Sequence, residues 1–184
     1  MPRTLSGELA SNRPSCVLFD RDGTLIHDVP YNGDPERVMV VEDAGSALLR
    51  LRGAGIRVGV VTNQSGIGKG LLRRAEVDAV NLRVESLLGR FEVWAVCPHD
   101  ESGGCACRKP APGLILGACA ALAVDPCEVV VIGDIATDVQ AAEAAGARGV
   151  LVPNERTDCH EIESLMTVFA SLSDAVGAML GETA

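Results

Sequence analysis

Aromatic residues are scarce in this chain: three Phe, one Trp and one Tyr in 184 positions. Its core must therefore be built mainly from Val, Leu, Ile and Ala. Positive charge is also short, with 16 Lys and Arg against 25 Asp and Glu and a net charge of −9. That balance argues against nucleic acid as a partner, because binding a phosphate backbone needs a basic face. No apolar run approaches the roughly 20 residues of a membrane span, so no membrane partner is expected. Met1 to Ser15 lacks the apolar core of a signal peptide, and a cytoplasmic location is the expectation. Cysteine, by contrast, is plentiful and odd in number at seven. Three of them cluster beside a histidine, which favours metal in a reducing compartment over a disulfide framework. Cys16 and Cys119 read as small buried hydrophobes.

At this length the chain fits one domain that buries roughly 70% of its unfolded surface without needing metal or disulfides for a core. The expected division is a mobile polar arm over 1–15 and a single domain over 16–184. Apolar runs predict strands near 16–20, 56–61, 92–96, 129–132 and 148–152. Helices are expected near 43–53, 72–89, 112–123, 137–145 and 161–180. Val77, Val80, Val84, Leu87 and Leu88 follow helical spacing, as do Ile162, Leu165, Met166, Phe169 and Leu172. Strand and helix alternate throughout, the pattern of an α/β fold with a parallel sheet covered on both faces.

The run CVLFDRDGTL, Cys16 to Leu25, ends an apolar strand on two aspartates one residue apart. Side chains alternate along a strand, so Asp20 and Asp22 can point the same way if extension persists through Arg21, and Gly23 then permits a sharp turn. At the C-terminal edge of a sheet such a pair can divide labour. One carboxylate attacks as nucleophile and the other moves a proton, while a divalent cation damps repulsion from an anionic substrate. A strand followed by a polar turn would leave the same trace.

Three further stretches bear on that edge. In IRVGVVTNQSG, Ile56 to Gly66, a strand ends in Thr62, whose surroundings can cradle an anion. In VVVIGDIATD, Val129 to Asp138, Asp134 is a candidate metal ligand, and Asp138, one turn into the next helix, a candidate support for it. Arg108 and Lys109 precede Pro110, which keeps Lys109 out of a helix and free to reach a phosphate. Each has an ordinary alternative: a capped turn at Thr62, a helix N-cap at Asp134, a solvated Lys109. A fourth segment, Cys97 to Cys107, supplies Cys97, His99, Cys105 and Cys107, the composition of a Cys₃His tetrahedral zinc site. Its one-residue gaps are tighter than usual, so spacing alone leaves a thiol-rich loop open.

The order DRDGT, TN, RKP, GDxxxD resembles the four motifs of the haloacid-dehalogenase (HAD) superfamily of phosphotransferases, from about Cys16 to Val152. Within it, DRDGTL followed by PYNGDP, TNQSGIGKG and CPH…CxCRKP resemble the D-glycero-D-manno-heptose 1,7-bisphosphate phosphatases, near relatives of the histidinol-phosphate phosphatases. The resemblance implies a Rossmann-like three-layer sandwich with a zinc-binding loop. It implies an Mg²⁺-dependent phosphatase that removes the 7-phosphate in nucleotide-activated heptose biosynthesis. Asp20 would be the nucleophile, Asp22 the general acid and base, Thr62 a phosphoryl ligand, and Lys109 the contact to both nucleophile and phosphate. Asp20, Asp134 and the main-chain carbonyl of Asp22 would hold Mg²⁺, and the Cys₃His set would hold a closed structural Zn²⁺ that aims Arg108 and Lys109 at the substrate. Asp28, Tyr31, Asn63, Gln64, Ser65, Lys69, Arg108 and Lys109 are the candidate substrate contacts. Gly68-Lys69 departs from the Ala-Arg that relatives often carry, but keeps a basic group near the site.

Only 39 residues separate Asp22 from Thr62, and 46 separate Thr62 from Lys109. Regular elements and the cysteine loop fill them, so no room remains for a cap domain. A monomer is expected. The rival expectations are a histidinol-phosphate phosphatase and a zinc-stabilised binding protein without turnover.

Overall fold

The structure is a computed structural model and describes residues 12–158, 160, 162 and 167–182. Five strands form one parallel sheet: β1 (Cys16–Phe19), β2 (Arg57–Asn63), β3 (Trp94–Cys97), β4 (Val129–Gly133) and β5 (Arg148–Leu151), in the order β3-β2-β1-β4-β5. The helices are α1 (Ala44–Gly53), the single turn α2 (Ser65–Gly68), α3 (Arg74–Leu88), α4 (Gly113–Leu122), α5 (Ala136–Ala144) and α6 (Leu172–Leu180). Strands buried on both faces must be apolar throughout, as CVLF in β1 and VVVIG in β4 are.

Alternation along the strands sorts the core into two layers. Val17, Phe19, Val58, Val60, Val130 and Ile132 pack with Leu48 and Leu51 of α1, Val80 and Val84 of α3, and Val176 and Met179 of α6. Cys16, Leu18, Val61, Val129 and Val131 face the other way, onto Leu114, Ile115 and Cys119 of α4 and Ala141 and Ala142 of α5. Each fully buried Val or Leu here contributes about 1.5–3 kcal/mol. This is the expected three-layer α/β sandwich. Between Asp22 and Thr62 lie a 3₁₀ turn, Pro35–Arg37, α1 and the start of β2, and between Thr62 and Lys109 lie α2, α3, β3 and a 3₁₀ turn, Glu101–Gly103, so neither interval holds a cap.

Three expectations shift. Leu87 is exposed, and the α3 stripe is Val77, Val80, Val84 and Leu88. The helix expected over 161–180 does not run through. Leu151 N donates to Thr167 O, and Phe169 N to Leu151 O, so 167–169 extends alongside β5, and α6 starts afresh with Ser171 Oγ accepting from Asp174 N. Leu165 and Met166 of the expected stripe lie outside the described residues, as does Cys159. Of the arm expected over 1–15, residues 1–11 lie outside them too, while Ser15 N donates to Glu128 O and Arg57 N to Ser15 O.

The chain winds from β1 to β3 in one direction and returns to β4 on the other side of β1. Ligands in open α/β sheets bind at such a reversal, outside the C-terminal strand ends.

Candidate active site

Asp20 follows the last residue of β1, and its backbone N–H continues the ladder to Ile132 O of β4 at 2.9 Å. Its carboxylate faces Lys109, delivered from across the sheet by the segment after the cysteine loop. Asn63, at the end of β2, clamps the Lys109 backbone: Oδ1 accepts from Lys109 N at 3.1 Å, and Nδ2 donates to Lys109 O at 3.2 Å. The Lys109 side chain is buried, and Nζ lies 2.6 Å from Asp20 Oδ1, 2.9 Å from Val61 O and 2.6 Å from Asp138 Oδ1. The ammonium thus hydrogen-bonds Asp20 and the Val61 carbonyl and forms an ion pair with Asp138. Burial works against the charged amine, yet Asp138 and Asp20 raise its pKa above the ordinary value.

Asp22 is held from two sides. Gln64 Nε2 donates to Asp22 Oδ2 at 2.7 Å and to Thr62 Oγ1 at 2.9 Å. Arg21 lies 2.9 Å away through Nη2, and its Nη1 donates at 2.7 Å to Asn81 of α3. Arg21 is fully buried, so the link between the two aspartates is itself a fixed support.

Asp134, just past β4, accepts from Thr24 Oγ1 at 3.2 Å and Asn154 Nδ2 at 2.8 Å; Asn154 Nδ2 also donates to Gly23 O. Gly23 has φ +89°, and a Cβ there would lie 2.3 Å from Asp134 Oδ2, so the turn needs glycine twice over. Asp20, Asp134 and Asp138 offer oxygens all within 4.8 Å of one another. Burial, with Asp138, Asp134 and Asp22 nearby and only Lys109 opposing, raises the Asp20 pKa well above the carboxylate range. Burial and the Asp138 charge push Asp134 up to about 6. Negative charge is under-compensated here, and hard oxygen donors suit a divalent cation such as Mg²⁺. Lys109 faces both Asp20 and Asp138, whereas Asp134 accepts from the neutral donors Thr24 and Asn154.

Asp20, Asp22, Thr62, Lys109, Asp134 and Asp138 line one cavity of about 240 Å³, together with Asp28, Asn63 and Arg156. Adjoining it, a pocket of about 270 Å³ is lined by Asp22, Asp28, Tyr31, Asn63, Gln64 and Ser65 among others. Asp28 pairs with Arg156 at the shared rim. Tyr31 is half-exposed, and its hydroxyl accepts from Lys69 Nζ at 3.2 Å. Arg108 is turned to Glu101, with Nη2 2.8 Å from Oε1. A nucleophile-type carboxylate, a second held carboxylate, a buried cation and an acidic metal seat therefore share one cavity, the set that phosphoryl transfer through a carboxyl phosphate requires.

The cysteine loop closes on itself. Cys107 Sγ lies 3.3 Å from Cys97 Sγ and 3.4 Å from Cys105 Sγ, Cys97 and Cys105 are 3.7 Å apart, and His99 Nδ1 is 3.5 Å from Cys97 and 3.2 Å from Cys107. These separations far exceed a disulfide bond of about 2.05 Å. They lie at or somewhat inside the edges, about 3.8 Å, of a tetrahedron built on metal–thiolate bonds of about 2.3 Å.

Sequence reasoning brought the carboxylates, Thr62, Lys109 and the cysteine cluster to their neighbourhoods, but missed Arg21, Thr24, Glu101, Asn154 and Arg156. Arg21 and Thr24 stand inside the first motif, where neither residue type nor spacing marks them as supports of the aspartates. Asn154, Arg156 and Glu101 carry no spacing signal.

The HAD-hydrolase-like family model matches residues 106–175. A D-glycero-beta-D-manno-heptose-1,7-bisphosphate 7-phosphatase of Rhodopseudomonas palustris is 35% identical over 160 residues, covering 81% of this chain and 88% of that protein. The crystal structure of D,D-heptose 1,7-bisphosphate phosphatase from Bordetella bronchiseptica, complexed with magnesium and phosphate, superposes with a TM-score of 0.81 at 29% identity. That match covers 91% of this chain and 99% of the other. A putative HAD-like phosphatase from Mesorhizobium loti gives a TM-score of 0.74 at 33% identity, over 90% and 86% of the two chains. With the motif residues gathered at one strand edge and a relative this similar over most of both lengths, the chain belongs to the heptose-1,7-bisphosphate 7-phosphatase family of HAD-like phosphoric monoester hydrolases.

Proposed function

We propose that this chain removes the 7-phosphate of D-glycero-D-manno-heptose 1,7-bisphosphate, within nucleotide-activated heptose biosynthesis. The observation that carries this reading is Lys109 Nζ at 2.6 Å from Asp20 Oδ1, in a cavity that Asp22, Thr62 and Asp134 also line. Asp20 attacks phosphorus in line as the bond between phosphorus and the sugar oxygen breaks, and Asp22 gives its proton to that departing oxygen. Asp22 then takes a proton from the water that attacks the aspartyl-phosphate, and inorganic phosphate leaves. Gln64 and Arg21 hold Asp22 in place for both transfers. Lys109 and Thr62 face the charge that builds on the transferring group.

Asp20, Asp134 and the main-chain carbonyl of Asp22 would hold Mg²⁺, which when bound neutralises charge on the phosphoryl oxygens. The buried, under-compensated carboxylates support that assignment. Cys97, His99, Cys105 and Cys107 would hold Zn²⁺ as a closed structural site, with no position left open for catalysis. Asp28, Tyr31, Asn63, Gln64, Ser65, Lys69 and Arg108 form the substrate rim in this reading. Asn63 and Gln64 act there through their hold on Lys109 and Asp22. The working unit is a monomeric domain over 16–184 acting in the cytoplasm. Six free thiols among the described residues fit a reducing compartment, and no described helix is long and apolar enough to cross a membrane.

Phosphate release measured side by side on heptose 1,7-bisphosphate, fructose 1,6-bisphosphate and histidinol phosphate with Mg²⁺ tests the reading. The highest kcat/KM is expected for the heptose. Preference for histidinol phosphate would reassign the substrate, and release from none would leave a binding protein.

A further inference from the structure

The cations around this site are already held by protein acceptors. Lys109 is shared by Asp20 and Asp138, Arg21 is held by Asp22 and Asn81, and Arg156 by Asp28. At the outer rim a single carboxylate, Glu101, holds two more. Its Oε2 lies 3.1 Å from Lys69 Nζ and its Oε1 2.8 Å from Arg108 Nη2. Three segments thereby close on one another: the turn of α2 through Lys69, the cysteine loop through Glu101, and the segment after Cys107 through Arg108. Lys69 also reaches Tyr31 of the adjoining pocket, and Arg108 precedes Lys109, whose ammonium touches the nucleophile.

Two features show that this arrangement is provisional. The Glu101 side chain is 60% exposed, and an ion pair so exposed to water is held by little net free energy. Arg108 Nη1 is buried and has no hydrogen-bond partner among the described residues, so Glu101 satisfies only part of the guanidinium fork. An oxyanion with three acceptor oxygens, seated where the Glu101 carboxylate lies, can take donors from both arms of Arg108 and from Lys69.

We propose that Glu101 is a displaceable counter-ion occupying the seat of the substrate's second phosphate. It keeps Lys69 and Arg108 together in the free enzyme and sets the preference between bisphosphate and monophosphate esters. The proposal rests on the reading of this cavity as a phosphatase site. A bisphosphate must evict Glu101 to gain both cations; a monophosphate never meets it.

Glu101→Gln removes the charge and keeps the side chain's size. With heptose 1,7-bisphosphate and p-nitrophenyl phosphate as substrates, the ratio of their kcat/KM values should rise about 2–5-fold in favour of the bisphosphate, the gain lying in KM. Glu101→Asp, which retains the charge, should return the ratio toward wild type. Calorimetric binding of pyrophosphate should tighten in Glu101→Gln by a similar factor, and inorganic phosphate should change less. An unchanged or falling ratio, with pyrophosphate affinity unmoved, overturns the role of Glu101 while leaving the phosphatase reading intact. If the wild type hydrolyses neither ester, the phosphatase reading falls, and the pyrophosphate comparison alone still decides whether Glu101 competes for the anion.

Discussion

Lys109 and Asp138 meet at 2.6 Å inside the protein, although one lies in a loop and the other in the first turn of α5. Asp138, read from sequence as a support for a metal ligand, shares the ammonium with Asp20. Asp138→Asn leaves a buried lysine with half its compensation. It should lower stability by about 1–3 kcal/mol and kcat/KM by on the order of 10²-fold through a displaced Lys109, with Mg²⁺ affinity changed far less. Denaturant unfolding, kinetics and Mg²⁺ titration of one preparation check this; a collapse of Mg²⁺ affinity would make Asp138 a ligand.

Asp20→Asn should abolish turnover while the fold and zinc content persist, since an amide forms no carboxyl phosphate. Asp22→Asn should slow formation and hydrolysis of the intermediate by roughly 10²–10⁴-fold. Rapid-quench measurement of phosphoenzyme on both variants separates the roles, and near-wild-type rates in Asp20→Asn would be fatal to the mechanism.

The two metal seats differ in chemistry, and their occupants should differ in lability. Mg²⁺ should exchange freely and be required for turnover, whereas one equivalent of Zn²⁺ should co-purify and survive dialysis against a mild chelator. Elemental analysis before and after dialysis reads this directly. Full turnover with zinc alone would merge roles kept apart here.

Asp134 carries a pKa of about 6, above the ordinary 3.8. The folded chain therefore binds that proton more tightly than the unfolded chain, and metal-free protein loses stability from this group as pH rises from 3.8 to about 6. A cation at Asp134 must displace the proton, so stabilisation by Mg²⁺ should grow as pH rises through about 6, and the raised Asp20 carries that growth to higher pH. At pH 5 the affinity should fall about tenfold. Thermal shifts with and without Mg²⁺ across pH 5–7.5 measure it; a shift independent of pH would remove Asp134 from the metal seat.

Cys107→Ser removes a corner of the thiolate cluster two residues from Lys109. Zinc should be lost and the Arg108–Lys109 segment loosened. The loss in kcat/KM should be on the order of 10²-fold, with a smaller change in Tm, because the two core layers lie elsewhere. Outright unfolding would show instead that the loop holds up the domain.

The strands were legible because parallel strands buried on both faces are apolar without interruption, and Asp20, Thr62 and Asp134 each close such a run. Cys97, His99, Cys105 and Cys107 were legible because their residue types name their chemistry. What escaped is non-local. Arg21 is buried because Asn81 accepts from it, and Asn154 matters because Asp134 and Gly23 O lie in its reach. The break before α6 arises where Thr167 and Phe169 bond to Leu151 and override a helical periodicity.

The central position of β1 bears on how the enzyme comes into being. Cys16 pairs with Arg57 on one side and Val129 on the other, so each of its ladders closes a long loop, the second far longer than the first. Pairings of that range form slowly, and synthesis delivers β4 well after β1. A nascent chain that has folded only through β3 carries both motif aspartates but lacks Asp134 and the acceptor of the Asp20 N–H, Ile132 O. Catalytic competence should therefore switch on at a single late event, the docking of β4, and a ribosome-stalled chain ending before Val129 should be inert however well its first three strands have formed.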